Sequence, residues 1–167
     1  MIELFWHEAP VPKEMHIRQV YGVSFSSDGK ILLKVENKGE KKIYSLAGGT
    51  PENFDKDQIE TLCREFKEEV NTTIFSPIYL GYQEVRGDGD RAPYAQVRMA
   101  CRVDKIGERL PDPDNGKTYE RVLVCPEKAK VLLSWGDIGN RIIEKAKEVA
   151  QTEYKINIDE TDNEEWV

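Results

Sequence analysis

The residues from Asp57 to Val70 restrict the fold of this chain more than any other stretch. Wound as a helix at roughly 100° per residue, they place Ile59, Leu62, Cys63, Phe66 and Val70 on one apolar stripe that must face a core. Beside the stripe lie three acids: Glu65 and Glu69 one turn apart, with Glu68 between them. Like charges so spaced repel by roughly a few tenths of a kcal/mol per pair. Acids in a last helical turn also meet the negative end of the macrodipole. The patch is therefore either a solvated face of an acidic protein or a set of carboxylates drawn together by a hard divalent cation. Mg²⁺ or Mn²⁺ fits the second case, because both take carboxylate oxygens and water.

The residues ahead of the helix point to a ligand. A short apolar strand, Ile43-Tyr44-Ser45-Leu46, runs into Ala47-Gly48-Gly49-Thr50, and a loop with Pro51 leads on to the helix. Glycines there allow close backbone approach near the positive end of a helix. Gly48-Gly49 followed by Arg64-Glu65-Phe66-Lys67-Glu68-Glu69 resembles the box of the Nudix hydrolase family, G-x5-E-x7-R-E-U-x-E-E-x-G-U, where U is a bulky apolar residue. The R-E-U-x-E-E core matches at every position. Counting back from Arg64 places Thr50 at the pattern's glycine and Lys56 at its first glutamate, so Gly49 fits if the loop is one residue longer. Asp55 or Asp57 would then supply the carboxylate, Asp57 serving equally well as an acid at the helix N-terminus. Asn71 stands at the later glycine and suits a left-handed helix cap.

The resemblance implies a single α+β domain over residues 1–167, a Nudix-like α/β/α sandwich with a mixed, largely antiparallel sheet between helices. It implies hydrolysis of the diphosphate linkage in a nucleoside diphosphate derivative such as a nucleotide sugar, ADP-ribose or a nucleoside triphosphate. Glu65, Glu68 and Glu69 would hold Mg²⁺ or Mn²⁺. The catalytic set would be Arg64, Glu65 and Glu68, with Arg64 orienting a neighbouring carboxylate from the side. Glu68 is the preferred general base, and Glu84, Glu108, Asp112, Asp114 and Glu120 are further candidates. Substrate contacts are assigned to Gly48, Gly49 and Arg98, a homodimer being a family-level expectation. Lys56 in place of a glutamate keeps open a Nudix-like module that senses a nucleotide without cleaving it.

Charge and composition narrow the partners. With 24 Lys+Arg against 31 Asp+Glu, the net charge of −7 argues against a broad hold on duplex nucleic acid or an anionic membrane. Three cysteines without metal-type spacing, Cys63, Cys101 and Cys125, read as buried free thiols in a reducing compartment. No apolar run reaches the roughly 18 residues of a membrane helix, so the expectation is a cytoplasmic protein.

Along the chain, residues 1–14 read as an irregular or edge-strand lead-in and residues 16–151 as the core. His16–Phe25 and Lys30–Val35 form a hairpin about Ser27-Asp28-Gly29. After the helix, Thr72–Ser76 is extended, Pro77 ends it, and Ile78–Arg86 and Tyr94–Val103 follow as strands. Arg98 and Arg102 fall on the polar face of the last of these. Glu120–Val124 is a strand, Pro126 opens a helix to Leu133, and a final amphipathic helix spans Ile138–Gln151. The tail, 152–167, is expected to fray over its acidic stretch from Asp159 to Glu165.

Overall fold

A computed structural model describes all 167 residues. Strands β1 (Glu3–His7), β2 (His16–Phe25), β3 (Ile31–Lys38), β4 (Lys41–Ser45) and β5 (Gly48–Gly49) precede helix α1 (Gln58–Val70). Then come β6 (Thr72–Arg86), β7 (Tyr94–Ile106), β8 (Glu120–Val124), α2 (Pro126–Leu133), α3 (Gly136–Thr152) and β9 (Glu165–Trp166). The strands make one sheet in the order β1-β6-β7-β2-β3-β8-β9, with β4 beside β3 and β5 beside β2. Only β2 and β7 run parallel; every other pairing is antiparallel.

Alternation along the strands gives the sheet two apolar faces. Against one face α1 packs Leu62, Phe66 and Val70 over Val20, Val97, Met99 and Leu123. Against the other, α2 and α3 bring Ala129, Leu133, Ile142, Ile143 and Ala146 over Val23, Phe25, Leu33, Val35 and Ala100. This is the expected α/β/α sandwich with a mixed sheet. Gly22 is where α1 comes closest, since a Cβ there would sit 2.8 Å from the Phe66 ring.

One irregularity of the sheet creates the site. β2 and β3 pair only at Phe25 and Ile31. Beyond that point β3 turns to β4, while β2 pairs Val20 and Tyr21 with Gly49 and Gly48. The sheet forks, and the chain from Leu46 to Gly49 lies in the fork.

Several expectations need correction. Pro77 does not end a strand: β6 runs through it, and the register slips between Phe75 and Ile78 with Ser76 at φ 52°. A bulge absorbs a proline because the residue there owes no ladder hydrogen bond. On the "polar" face of β7, Arg98 is only 3% exposed, with the rings of Tyr21 and Trp135 against its guanidinium. On α1, Ile59 is 43% exposed and Cys63 is exposed, whereas Glu65 and Glu69 are buried; the inward arc is rotated toward the acids. Cys101 and Cys125 are buried free thiols, as expected. The tail does not fray. Asp159 N–H donates to Asp28 O at 3.1 Å, Lys128 pairs with Asp162 at 3.1 Å, and β9 extends the sheet beside β8. No helix is long and apolar enough to cross a membrane.

Candidate active site

Helix α1 begins where Asp57, in extended backbone, accepts a hydrogen bond from Glu60 N–H at 2.9 Å. It ends at Asn71, left-handed at φ 44°, whose side chain donates to Glu108 O at 2.9 Å. Both ends are thus fixed, and with them the direction of the last two turns. Asp57 takes the capping role, which leaves Asp55 for Arg64.

Arg64 is the hub of the site. Its Nε donates to Asp55 Oδ1 at 3.1 Å and its Nη2 to Asp55 Oδ2 at 2.8 Å, a bidentate pair. Nη2 also donates to Thr50 O at 3.0 Å, tying the glycine loop to the helix. Nη1 reaches Glu65 Oε1 at 3.0 Å and Glu68 Oε2 at 3.2 Å. The guanidinium therefore holds both acids from the side. Its hydrogen bonds keep the Asp55 carboxyl well below the usual carboxylate range, and Asp55 in return raises Arg64.

The two glycines admit the acids. Gly48 sits at φ 153°, and its N–H donates to Glu69 Oε1 at 2.8 Å. Gly49 lies against Glu65, where an added Cβ would be 2.5 Å from the carboxyl carbon. No larger residue leaves room for Glu65 in this position. Burial pushes the Glu65 carboxyl up to about 7, with Arg64 opposing and the charge of Glu69 adding to the rise. Glu68 and Glu69 are also raised, each chiefly by burial.

The loop after β7 completes the cluster. Asp112 is 4% exposed and accepts from Asp114 N–H at 2.8 Å, which turns Asp114 toward the helix. One oxygen from each of Glu65, Glu68 and Asp114 lies within 4.8 Å of the others. Three carboxylates without a thiol or imidazole suit a hard, oxygen-preferring cation. Glu69, grouped with Glu65 and Glu68 from helical spacing, turns its second oxygen to Lys34, which also lies 4.7 Å from the centre of the Tyr119 ring.

No protein-family model and no curated protein sequence matches this chain. Solved structures do. A Bacillus subtilis pyrophosphohydrolase, BsRppH, superimposes with a TM-score of 0.65 at 20% identity, over 87% of this chain and 90% of its own. The ORF135 protein of E. coli follows at 0.57 and 21%, over 87% and 97%. A Nudix hydrolase from Nitrosomonas europaea gives 0.58 and 17%, over 78% and 87%. This chain has the Nudix fold.

Within the Nudix fold the remaining candidates separate by their partners. Glu84 is engaged by His7 at 2.8 Å and Arg86 at 2.7 Å, and Glu120 by Lys42 at 3.0 Å. Glu108 is exposed and contributes its carbonyl to Asn71. Of the later-loop acids, Asp114 alone enters the cluster with Glu65 and Glu68. Lys34 is the residue that sequence reasoning missed. Its signal was the alternation of Ile31, Leu33 and Val35, which puts Lys34 on the α1 face.

Arg98 lies across Tyr21 from the acids, on the α3 side of the fork. It lines a cavity of about 360 Å³ with Tyr21, Leu46, Gln83, Gln96 and Trp135. Tyr21 belongs to both regions, since its backbone pairs with Gly48 and its ring carries the Arg98 guanidinium at 4.8 Å. Trp135 reaches the cavity from a corner between α2 and α3, where Ser134 and Gly136 are both left-handed, at φ 54° and 68°.

Proposed function

We propose that this protein is a metal-dependent hydrolase of the diphosphate linkage in a small nucleoside diphosphate derivative, with Mg²⁺ or Mn²⁺ as its cation. The observation that carries this is the convergence of Glu65, Glu68 and Asp114 beside a glycine strand, with Arg64 fixing two of the three. Glu65 and Glu68 are raised chiefly by burial, so the protein alone holds these two in their charged form at a disadvantage. A self-repelling, partly desolvated cluster is what a cation site requires and what a solvated acidic face does not have.

Glu65, Glu68 and Asp114 would hold the cation. Once bound, it would polarise phosphate oxygens and lower the pKa of a water. The chain's own residues do the rest. Glu68 is the most exposed of the helix acids, at 24% of its side chain, and is placed to take a proton from attacking water. Arg64 is a positioning residue: it holds Glu65 and Glu68 at fixed angles and is itself locked by Asp55. Glu69 braces the glycine strand through Gly48 N–H and offsets the charge of Lys34. Gly48 and Gly49 let the strand lie directly against Tyr21 and Glu65, and the cavity at Arg98 would receive the part of the substrate beyond the diphosphate.

The test is incubation with Mg²⁺ and a panel of nucleotide sugars, dinucleotides, ADP-ribose and nucleoside triphosphates, with phosphate and monophosphate release measured. Cleavage that chelation abolishes supports the assignment. Tight nucleotide binding with no cleavage of any compound would replace it with a sensing module.

A further inference from the structure

Arg98 presents a charge that the fold does not neutralise. The residue is 3% exposed, yet no carboxylate pairs with it. Nη1 donates to Gln96 O at 3.2 Å, Nη2 reaches Gln96 Oε1 at 3.4 Å, and Nε has no partner at all. Two rings flank the guanidinium, Tyr21 at 4.8 Å and Trp135 at 5.8 Å. Aromatic faces attract a cation but carry no net charge. Gln96 Oε1 is shared, since Gln83 also donates to it at 2.8 Å, while the Gln96 amide donates to Gln19 at 2.5 Å. A buried charge left unpaired is unfavourable unless a ligand completes it.

The cavity supplies the space. Its volume of about 360 Å³ is in the range of small-ligand pockets, and its walls are apolar apart from Arg98, the glutamines and Ser45. Tyr21 and Trp135 offer ring faces beside a single cationic donor. The carboxylates that would hold a cation, Glu65, Glu68 and Asp114, do not line this cavity.

We propose that Arg98 binds a second anionic group of the substrate, a phosphate monoester or a carboxylate carried by the part that lies beyond the diphosphate. This rests on the hydrolase reading for the word substrate, but the binding itself does not. The preferred compounds are then diphosphates whose far end is itself charged, rather than simple nucleoside triphosphates or neutral nucleotide sugars. A phosphate oxygen and a carboxylate oxygen both accept the free Nε–H and one Nη–H in the fork geometry of guanidinium.

The experiment uses metal-free protein and fragments that cannot be cleaved as diphosphates. Adenosine 3′,5′-bisphosphate is compared with AMP, and glucuronic acid 1-phosphate with glucose 1-phosphate, by isothermal titration and by Trp135 fluorescence in a W6F/W166F background. The more anionic member of at least one pair should bind about tenfold or more tightly, the effect of one charge-assisted contact. The pair that shows it identifies the anion. R98Q should abolish the preference and melt at or above the wild-type temperature, because it removes an unpaired buried charge. R98K, which keeps the charge but loses the fork, should retain a reduced preference. Equal affinity within both pairs, or a preference unchanged in R98Q and R98K, overturns the proposal. The parent diphosphates are assayed for cleavage separately. Cleavage without pair preference removes only the anion site, and pair preference without cleavage removes only the hydrolase.

Discussion

Replacing Glu65 with Gln should change how stability depends on pH, and the direction follows from burial. In the folded protein without metal, the Glu65 carboxyl is pushed from the ordinary 4.5 up to about 7. A raised acid means that the folded state holds a proton the unfolded state has released. Stability from this group is full below about pH 4.5 and is lost as pH rises through about 7. At about 1.4 kcal/mol per pH unit, the loss amounts to at most roughly 3 kcal/mol. Glu68 and Glu69 are raised in the same sense and add to it. Asp55 is depressed, and its contribution changes only in stronger acid. Urea denaturation of chelated protein between pH 5 and 8.5 should therefore show wild type weakening with rising pH and E65Q much less sensitive. Adding Mg²⁺ at 100 times its dissociation constant should restore about 2.7 kcal/mol to wild type at high pH. Parallel pH profiles for wild type and E65Q would refute the desolvated-acid basis of the site.

Other perturbations follow from single contacts. Gly49→Ala drives a methyl into the Glu65 carboxyl, so hydrolysis should fall about a hundredfold, the scale of a 1 Å misplacement, with a small change in melting temperature. Asp114→Asn should weaken metal affinity about tenfold or more in a titration, while Asp112→Ala, which removes the acceptor for Asp114 N–H, does so indirectly by freeing the loop. Glu69→Gln keeps an acceptor for Gly48 N–H but removes the charge opposite Lys34, so it should flatten the pH dependence of stability as E65Q does, and pairing it with Lys34→Met should leave stability little changed in urea denaturation. Asp55→Asn should blunt acid unfolding below about pH 4, because a depressed acid contributes stability above its unfolded pKa and loses it as pH falls.

Much of the architecture was legible because it rests on local periodicity. Helix α1, β8 and α2 follow from spacing and the Pro126 start, and the turn at Ser27-Asp28-Gly29 from its residues, but the hairpin ladder expected beyond it does not form, since β2 pairs with β7 instead. The helix acids and Arg64 were visible for the same reason, being neighbours in sequence. What escaped depends on distant contacts. Asp114 reaches Glu68 only because the loop after β7 folds back over α1, and nothing in residues 110–117 separates it from Asp112. The burial of Arg98 was not legible, because strand alternation says which residues share a face, not that Trp135 is brought against that face from a distant corner of the chain. The tail looked disordered by composition, yet Arg121, buried at the end of α1, donates to Val70 O, Gly107 O and Val167 O. The separate contacts of Asp55 and Asp57 were likewise not legible: Asp57 caps the helix and Asp55 grips Arg64.

The most direct measurement is anomalous diffraction from crystals grown with Mn²⁺. A manganese peak bounded by carboxylate oxygens of Glu65, Glu68 and Asp114 is the result expected here. Manganese bound elsewhere, for instance among the acids of the tail, with those three side chains left to solvent, would contradict it.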